Sequence, residues 1–251
     1  MVSRPSPERL DQFLVETHGI ETRSRAARLI RDGFVRINGR VCLKPGIAVR
    51  EDSSVEILPD WISRAGRKLD HALQVFGIDP AGLNCLDLGA STGGFTQVLL
   101  HYGAAGSYAV DVGKGQLHAR LKADARVRVY EQTDAREVDC YWPENGVDLI
   151  TADLSFISLG KALPPVLEKA GPGTRLITLI KPQFEAGRGH VGKGGIVRDR
   201  GVYEQICARI KSLLEGHSYI TLGLEESPVR GGDGNREFLI AAVKKKRDEA
   251  L

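Results

Sequence analysis

The alternation of apolar and polar positions divides the chain into two parts. In residues 1–58, short amphipathic helical patterns are followed by segments in which apolar and polar residues alternate. From residue 63 onward, short apolar runs of strand type alternate with amphipathic helical stretches. We therefore predict a small α+β domain at 1–58, a linker at 59–62 and an α/β domain with a parallel sheet at 63–251.

The first part predicts two helices and a hairpin. The first helix is expected over 9–15, and the second is expected to have Ser24 as its N-cap and to end at Gly33. Asn38-Gly39 lies between two alternating segments, which is a strong signal for a two-residue hairpin turn. A last short strand is expected at 54–58.

Charged side chains mark the ends of the strands that we predict in the second part. The carboxyl ends of parallel strands meet at one edge of the sheet, where α/β folds bind their ligands. One strand that ends in a charge is commonplace, whereas several together predict a functional site. The parallel strands close on Asp87, Asp111, Asp153 and Lys181, and a late strand opens with Glu237.

The segment from Asn84 to Phe95 combines a strand, a glycine-rich turn and the start of a helix. Its glycines, Gly89, Gly93 and Gly94, allow a ligand to approach the backbone closely. Their spacing does not match the G-x-G-x-x-G pattern of dinucleotide-binding folds, and no lysine follows them as in a phosphate-binding loop. Taken by itself, the segment is also compatible with an ordinary tight turn.

Two acids are placed for nucleotide recognition. Asp111 follows the glycine turn at the interval of ribose-binding carboxylates, and Asp134 follows the next strand, where it could reach an adenine amino group. The basic, glycine-dense segment 185–198 is compatible with a flexible cover over the site and with a disordered loop.

Composition limits the partners that can be expected. The 251 residues carry a net charge of only +3, so a polyanion must be recognised by local clusters of charge. We find no apolar run that could span a bilayer, no secretory signal and no cluster of metal-binding type, and we expect neither a membrane partner nor a metal. We expect reduced core thiols in a cytoplasmic protein, because the cysteines lie far apart: Cys42, Cys85, Cys140 and Cys207.

Arginines crowd into the first part of the chain. Arg25, Arg28 and Arg31 lie three residues apart and share a helical face, which suits RNA phosphates, although a solvated face is the alternative. The segment resembles the small RNA-binding domain of ribosomal protein S four, through R-L-D-x-x-L at 9–14, V-x-I-N-G at 35–39 and the Lys-Pro-Gly turn after them. The residues implied to bind RNA are Arg9, Arg23, Arg25, Arg28, Arg31, Arg36, Arg40, Arg64 and Arg67.

The whole chain resembles the haemolysin-A or TlyA family of rRNA 2′-O-ribose methyltransferases. The resemblance rests on S-R-A-G-x-K-L at 63–69, D-L-G-A-S-T-G-G-F at 87–95, V-D-V-G-x-G-Q-L at 110–117, A-D-L-S-F-I-S-L at 152–159, L-I-K-P-Q-F-E at 179–185 and G-G-D-G-N-x-E-F at 231–238. It implies a Rossmann-like, FtsJ-type methyltransferase domain behind the RNA-binding domain, S-adenosyl-L-methionine as cofactor, and ribosomal RNA or ribosomal subunits as partners.

The resemblance also implies site residues. A ribose 2′-hydroxyl is a weak acid, so a base must take its proton, and a lysine can do so only when it is neutral. The family's Lys-Asp-Lys-Glu tetrad would fall on Lys68, Asp153, Lys181 and Glu237, with Lys181 as the base and Lys68 as a nearby charge that favours its neutral form. The implied cofactor contacts are Asp87, Gly89, Ala90, Ser91, Thr92, Gly93, Gly94, Phe95, Asp111, Val112, Asp134 and Asp153.

Four other functions compete with this interpretation. A membrane-damaging haemolysin would need an amphipathic or membrane-spanning helix that we do not find. A nicotinamide oxidoreductase is disfavoured by the glycine spacing, and a pseudouridine synthase would leave the glycine-rich turn unexplained. An RNA-binding protein that has lost catalysis is disfavoured by the complete tetrad.

Overall fold

The computed structural model describes residues 8–31, 33–50, 52–57, 61–192 and 194–246. The chain divides into two compact units, Met1–Asp60 and Trp61–Leu251. Within the predicted linker, residues 59 and 60 lie outside the described residues, as does residue 58 of the last predicted strand. Trp61 is buried against the ring of His101, and the Ile62 amide donates to Gln97 Oε1 at 2.6 Å, so this end of the predicted linker packs within the larger unit.

The smaller unit packs two helices against short antiparallel strands. Strand β2 (Val35–Ile37) pairs with both β3 (Arg40–Val41) and β5 (Val55–Ile57), and β1 (Glu8–Arg9) pairs with β4 (Ala48–Val49). Buried residues such as Leu14, Ile30 and Val35 form its core. The elements are β1 Glu8–Arg9, α1 Leu10–His18, α2 Arg23–Arg31, β2 Val35–Ile37, β3 Arg40–Val41, β4 Ala48–Val49 and β5 Val55–Ile57.

The predicted hairpin is present, whereas the predicted helix cap is wrong. Asn38 and Gly39 both have positive φ, at 50° and 76°, as a two-residue turn between β2 and β3 requires. Helix α2 begins at Arg23, before Ser24, and the Thr22 hydroxyl accepts the Arg25 amide at 3.2 Å. Both residues carry hydroxyls that can cap a helix, so the sequence pattern alone did not separate them.

The larger unit contains a seven-stranded sheet. Its strands are β6 Asn84–Leu88, β7 Gly106–Asp111, β8 Val127–Glu131, β9 Leu149–Ala152, β10 Arg175–Ile180, β11 Tyr219–Glu226 and β12 Phe238–Lys244. Its helices are α3 Arg64–Phe76, α4 Gly94–His101, α5 Ala119–Lys122, α6 Val138–Tyr141, α7 Leu159–Ala162, α8 Pro164–Lys169, α9 Pro182–Glu185 and α10 Arg200–Gly216, with a short 3₁₀ helix at Arg188–His190.

The strand order β8-β7-β6-β9-β10-β12-β11 confirms the predicted α/β, Rossmann-like fold. Strands β6 to β10 pair in parallel, whereas β12 runs antiparallel to β10 and β11. Because β12 is antiparallel, its first residue lies at the same sheet edge as the last residues of the parallel strands: Phe238 pairs with Ile180. Strand β11 was not predicted from the sequence.

The core lies between this sheet and its helices. Leu86, Ile150 and Leu176 of the central strands pack with residues of α10 such as Ile206. All four cysteines are free thiols, and three are buried as expected, but Cys140 is exposed on the short helix α6. Among the helices of the described residues, none has the length and apolar character needed to cross a membrane.

Candidate active site

Four separate elements bring the residues of the predicted tetrad to one edge of the sheet. Lys68 lies in the second turn of α3, and Asp153 directly follows β9. Lys181 directly follows β10, and Glu237 directly precedes β12, the antiparallel neighbour of β10. The sheet register therefore brings Asp153, Lys181 and Glu237 together, and the packing of α3 against β12 adds Lys68.

The tetrad forms two buried ion pairs. Lys181 Nζ lies 2.7 Å from Asp153 Oδ1, and Lys68 Nζ donates to Glu237 Oε2 at 2.5 Å. Lys181 Nζ also donates to Ser155 Oγ at 2.7 Å. Both lysines are less than one-tenth exposed, and Glu237 is 2% exposed, so each buried charge needs its partner.

A cavity of about 270 Å³, which we call the lysine cavity, opens beside these ion pairs. Lys68, Asp153 and Lys181 lie in its wall together with the glycine-rich turn. The remaining wall comes from the start of α3 and from the loop that precedes Glu237 in the chain. Its full lining is Ser63, Arg64, Ala65, Lys68, Gly89, Ala90, Ser91, Thr92, Phe95, Asp153, Ser155, Lys181, Arg230 and Gly232.

A second cavity of about 690 Å³, which we call the Asp111 cleft, adjoins the first. Asp111, Val112 and Asp134 all lie in its wall, as the sequence predicted for a common ligand. The two cavities share the residues Gly89, Ser91, Asp153 and Ser155. A ligand in the Asp111 cleft can therefore present a group to the lysine cavity at Asp153.

The Asp111 carboxylate is held by backbone amides. Its Oδ2 accepts the Ser91 amide at 2.8 Å, and its Oδ1 accepts the Gly113 amide at 2.7 Å. A carboxylate has about four acceptor positions, so these bonds fix its orientation and leave further positions for ligand hydroxyls. Asp111 thus ties the turn after β6 to the turn after β7.

Asp134 lies in a bidentate ion pair. Arg136 Nε and Nη2 donate to the two carboxylate oxygens at 2.9 and 2.7 Å. The hydrogen bonds from Arg136 hold the pKa of Asp134 below its ordinary value. Asp134 is therefore an ionised acceptor in the wall of the Asp111 cleft.

The glycines of the turn have two different roles. Gly89 has a φ of +79°, and a Cβ there would lie 2.7 Å from the Asp153 carbonyl oxygen, so only glycine fits. Gly93 and Gly94 are buried and line neither cavity. A Cβ at Gly93 would lie 2.2 Å from Leu121 Cδ1, and a Cβ at Gly94 would lie 2.2 Å from Ser63 Oγ. These two predicted ligand contacts are packing positions, at which neighbouring elements approach the turn.

Asp87 is also not placed to contact a ligand in either cavity. Its side chain is fully buried and lines neither cavity. Instead it accepts the Thr96 hydroxyl at 2.7 Å and the Thr151 hydroxyl at 3.3 Å, which joins β6 to α4 and β9. Burial raises the pKa of Asp87 to about 7, with a smaller contribution from the charge of Asp153.

This burial predicts an unusual dependence of stability on pH. The folded-state pKa of Asp87 lies above the unfolded-state value, so ionisation of this group favours the unfolded state. The protein therefore undergoes a loss in its free energy of unfolding as the pH rises from about 4 to 7. An Asp87→Asn variant lacks that loss. Between pH 5 and 8 its free energy of unfolding should therefore improve relative to the wild type by roughly 2 to 3 kcal/mol, at about 1.4 kcal/mol per pKa unit. Urea denaturation of the variant and the wild type at both pH values measures this. A difference between their free energies of unfolding that is the same at both pH values would contradict it.

Phe156 is a feature that the sequence analysis missed. Its side chain is 92% exposed, it lines the Asp111 cleft, and its ring centroid lies 5.2 Å from that of Phe184. Its φ of +65° is strained for a non-glycine residue, and such strain often occurs at functional sites. The motif around Asp153 was visible in the sequence, but nothing in it showed that this phenylalanine faces solvent.

The described residues of segment 185–198 are tied to neighbouring elements. Glu185 is buried, accepts the Leu159 amide at 2.6 Å and pairs with Arg209 at 3.0 Å. The buried Asn235 accepts the Val197 amide at 3.0 Å and donates to the Gly195 carbonyl at 2.9 Å. These bonds hold the described part of the segment beside the loop at 230–235, and none of its residues lines either cavity.

The arginines predicted to bind RNA differ in exposure. Arg25, Arg28, Arg31 and Arg40 are exposed on the smaller unit, and Arg25 pairs with Glu21 at 3.5 Å. Arg9 and Arg23 are exposed as well, and both contact the buried Asp11. In the larger unit Arg64 is exposed at the lysine cavity and Arg67 is half-buried.

Arg36 does not belong to this exposed set. It is only 7% exposed, and its guanidinium lies 3.7 Å from Glu56 on the neighbouring strand β5. Arg36 is therefore not exposed with the other arginines that the resemblance implied to bind RNA. Separately, the described part of the chain contains no group of three or more His, Cys, Asp or Glu side chains that could hold a metal ion.

Comparison with known proteins places both units. A family model described as FtsJ-like methyltransferase matches residues 61–244, and one described as S4 domain matches residues 8–55. The chain is 42% identical over 236 residues to the 16S/23S rRNA (cytidine-2′-O)-methyltransferase TlyA of Mycobacterium tuberculosis, which covers 92% of this chain and 88% of that protein. It is 37% identical over 234 residues to Hemolysin A of Brachyspira hyodysenteriae, and this match covers 92% of this chain and 98% of that protein. A solved structure from Streptococcus thermophilus, described as a candidate hemolysin, is 36% identical with a TM-score of 0.70, and covers 96% of this chain and 89% of that one.

Proposed function

The chain belongs to the FtsJ-like methyltransferase family, and we propose that it methylates the ribose 2′-hydroxyl of a cytidine in ribosomal RNA. The two family models confirm the family prediction, and the proposed substrate is based on the relative that is named for this reaction. The observation that carries the proposal is the pair of ion pairs, Lys181–Asp153 and Lys68–Glu237, at the wall of a cavity that adjoins an acidic cleft.

The residues of the Asp111 cleft fit S-adenosylmethionine, which supplies a methyl group bound to a positively charged sulfur. Asp111 is a fixed carboxylate with free acceptor positions for ribose hydroxyls. Asp134 offers an acceptor to an adenine amino group. Gly89, where a Cβ would clash with Asp153, lets a ligand pass close to the backbone at the junction of the two cavities.

Lys181 is the proposed general base. In its neutral form, Nζ accepts the proton of the 2′-hydroxyl, so that the oxygen could take the methyl group that the cofactor would supply as its carbon–sulfur bond breaks. Asp153 at 2.7 Å and Ser155 at 2.7 Å hold that nitrogen in place. Lys68, paired with Glu237, lies in the wall of the same cavity.

Phe156 is proposed to hold the target base. An exposed aromatic ring in a cleft whose wall also contains Asp153 and Ser155 offers a face on which an unstacked base can lie. Stacking of this kind contributes roughly 1–3 kcal/mol, so Phe156→Leu should lower kcat/KM for RNA by about 10-fold or more. Phe156→Trp keeps an aromatic face and should retain activity. Methylation kinetics with both variants measure this, and equal activity of the Leu variant would contradict it.

The smaller unit is proposed to supply affinity for RNA. It matches the S4 domain, and its helix α2 carries the exposed residues Arg25, Arg28 and Arg31. Arginine forks suit phosphate oxygens, and positive charge gives sequence-independent affinity. A ribosomal RNA substrate also implies that the protein works in the cytoplasm.

The proposal is tested by incubating the protein with S-adenosylmethionine labelled in the methyl group and with ribosomal subunits that lack the modification. We expect label in the RNA of at least one subunit. Binding of subunits without transfer of label would favour the alternative of an RNA-binding protein without catalysis. A parallel incubation with unrelated RNA shows whether transfer is specific to ribosomal RNA.

A further inference from the structure

The larger unit carries a concentrated strip of positive charge that the proposed site does not use. It lies around α5 and β8, and we call it the edge strip, because β8 is the last strand on that side of the sheet. The net charge of the whole chain is only +3, so five cations in such a short segment are a clear local excess of positive charge. The edge strip consists of the exposed residues Lys114, Arg120, Lys122, Arg126 and Arg128.

Glu131 holds the strip together. Its carboxylate accepts the amides of Gly115 at 2.8 Å and Leu117 at 3.2 Å, and it pairs with Lys122 at 3.0 Å. The amide of Gln132 donates to the carbonyl of Gly113 at 2.9 Å. These bonds fix the loop 113–117 and helix α5 against the end of β8, so the backbone that carries the strip is held in place before any partner binds.

Much of the positive charge remains uncompensated. Arg126 forms a bidentate pair with Asp124, and Lys122 pairs with Glu131. Arg128 donates to the carbonyl of Ala125 at 2.9 Å, which satisfies a hydrogen bond but leaves the charge. The side chains of the two other strip residues, Lys114 and Arg120, make no ion pair or hydrogen bond with any residue that the structure describes.

The edge strip borders the proposed active site. The His118 amide donates to the Thr92 carbonyl at 3.2 Å, and Thr92 lines the lysine cavity. On its other side, Gly113 and Gln116 line the Asp111 cleft. A polyanion lying along the strip would therefore also lie at the rim of both cavities.

We propose that the edge strip binds the phosphate backbone of the RNA substrate beside the target nucleotide. The inference rests on the proposed function, and it adds to the larger unit an RNA contact that is separate from the S4 domain. The aromatic residue of the segment, Tyr130, is stacked on Tyr108 and so is not presented to a base. Contact through charge alone gives affinity without sequence preference.

The test removes the three cations that have no carboxylate partner, in a Lys114→Gln, Arg120→Gln, Arg128→Gln variant. A matched control removes three exposed cations outside the strip, at Arg175, Lys245 and Lys246, whose side chains also have no carboxylate partner among the described residues. Each lost phosphate contact should flatten the plot of log affinity against log salt by about 0.7 to 0.9. We expect the strip variant to lose about 2 units of slope and to raise KM for RNA, with kcat and affinity for S-adenosylhomocysteine unchanged.

Several outcomes would overturn the inference. Equal slopes for the strip variant and the wild type, or equal losses in the strip and control variants, would reduce the strip to solvated surface. If the strip variant lost affinity for intact subunits but bound naked ribosomal RNA like the wild type, the strip would contact a ribosomal protein instead. An inactive wild-type protein would refute the proposed function, whereas the slope comparison would still decide whether the strip binds RNA.

Discussion

Lys181→Ala is expected to lower the rate of methylation by about 10²- to 10⁴-fold, the usual contribution of a general base. The reason is that no other group in the wall of the lysine cavity can replace Lys181 as the base. Lys68 is already bound to Glu237, and Asp153 has Lys181 as its partner. Affinity for the cofactor should be unchanged, because Lys181 lines the lysine cavity and not the Asp111 cleft. Single-turnover kinetics and calorimetry measure the two effects separately.

Lys181→Arg distinguishes a base from a fixed positive charge. A guanidinium stays protonated and cannot take the proton, so this variant should be as inactive as the alanine variant. Lys211→Ala, on the exposed face of α10, is the matched control and should leave the rate unchanged. If Lys181→Arg methylated RNA at the wild-type rate, the lysine would serve only as an electrostatic contact.

Asp111→Asn is expected to weaken binding of S-adenosylhomocysteine by roughly 10- to 100-fold, since a hydrogen bond to a charged group contributes about 1.5–3 kcal/mol. The Asn amide would place a donor against the amide of Ser91 or Gly113, both of which now donate to the carboxylate. The turn would lose its anchor, and the ribose hydroxyls would lose an acceptor.

Calorimetry with S-adenosylhomocysteine measures this effect. Asp79→Asn is a suitable control, because Asp79 also accepts a backbone amide, that of Ala81 at 2.9 Å, but lies outside both cavities. Unchanged affinity of the Asp111 variant would show that the cleft does not hold the cofactor ribose. A loss in both variants would point to a general loss of structure.

The sequence predicted the parallel strands because their apolar runs are distinct and each is followed by a turn. It did not predict β11, in which Ile220, Leu222 and Leu224 remain more than 40% exposed at a sheet edge. Its alternating pattern is also interrupted by a bulge between Thr221 and Gly223. Edge strands of this kind give a weak apolar signal.

The pattern of charged residues at strand ends predicted which residues meet, but not what each contacts. Side chains alternate between the two faces of a strand, and the face that is buried depends on the packed helices. Asp87 is therefore buried under the turn, and Arg36 inside the smaller unit, although both belong to polar residue types. Phe156 shows the opposite case, an apolar residue whose positive φ turns it to solvent.

The atom that receives the methyl group tests the central claim most directly. Ribosomal RNA labelled by the wild-type protein is digested to nucleosides, and the label is identified by chromatography and mass spectrometry. We expect label in 2′-O-methylcytidine for the wild type and none for Lys181→Ala. Label on a base, or 2′-O-methylcytidine formed at the wild-type rate by Lys181→Ala, would contradict it.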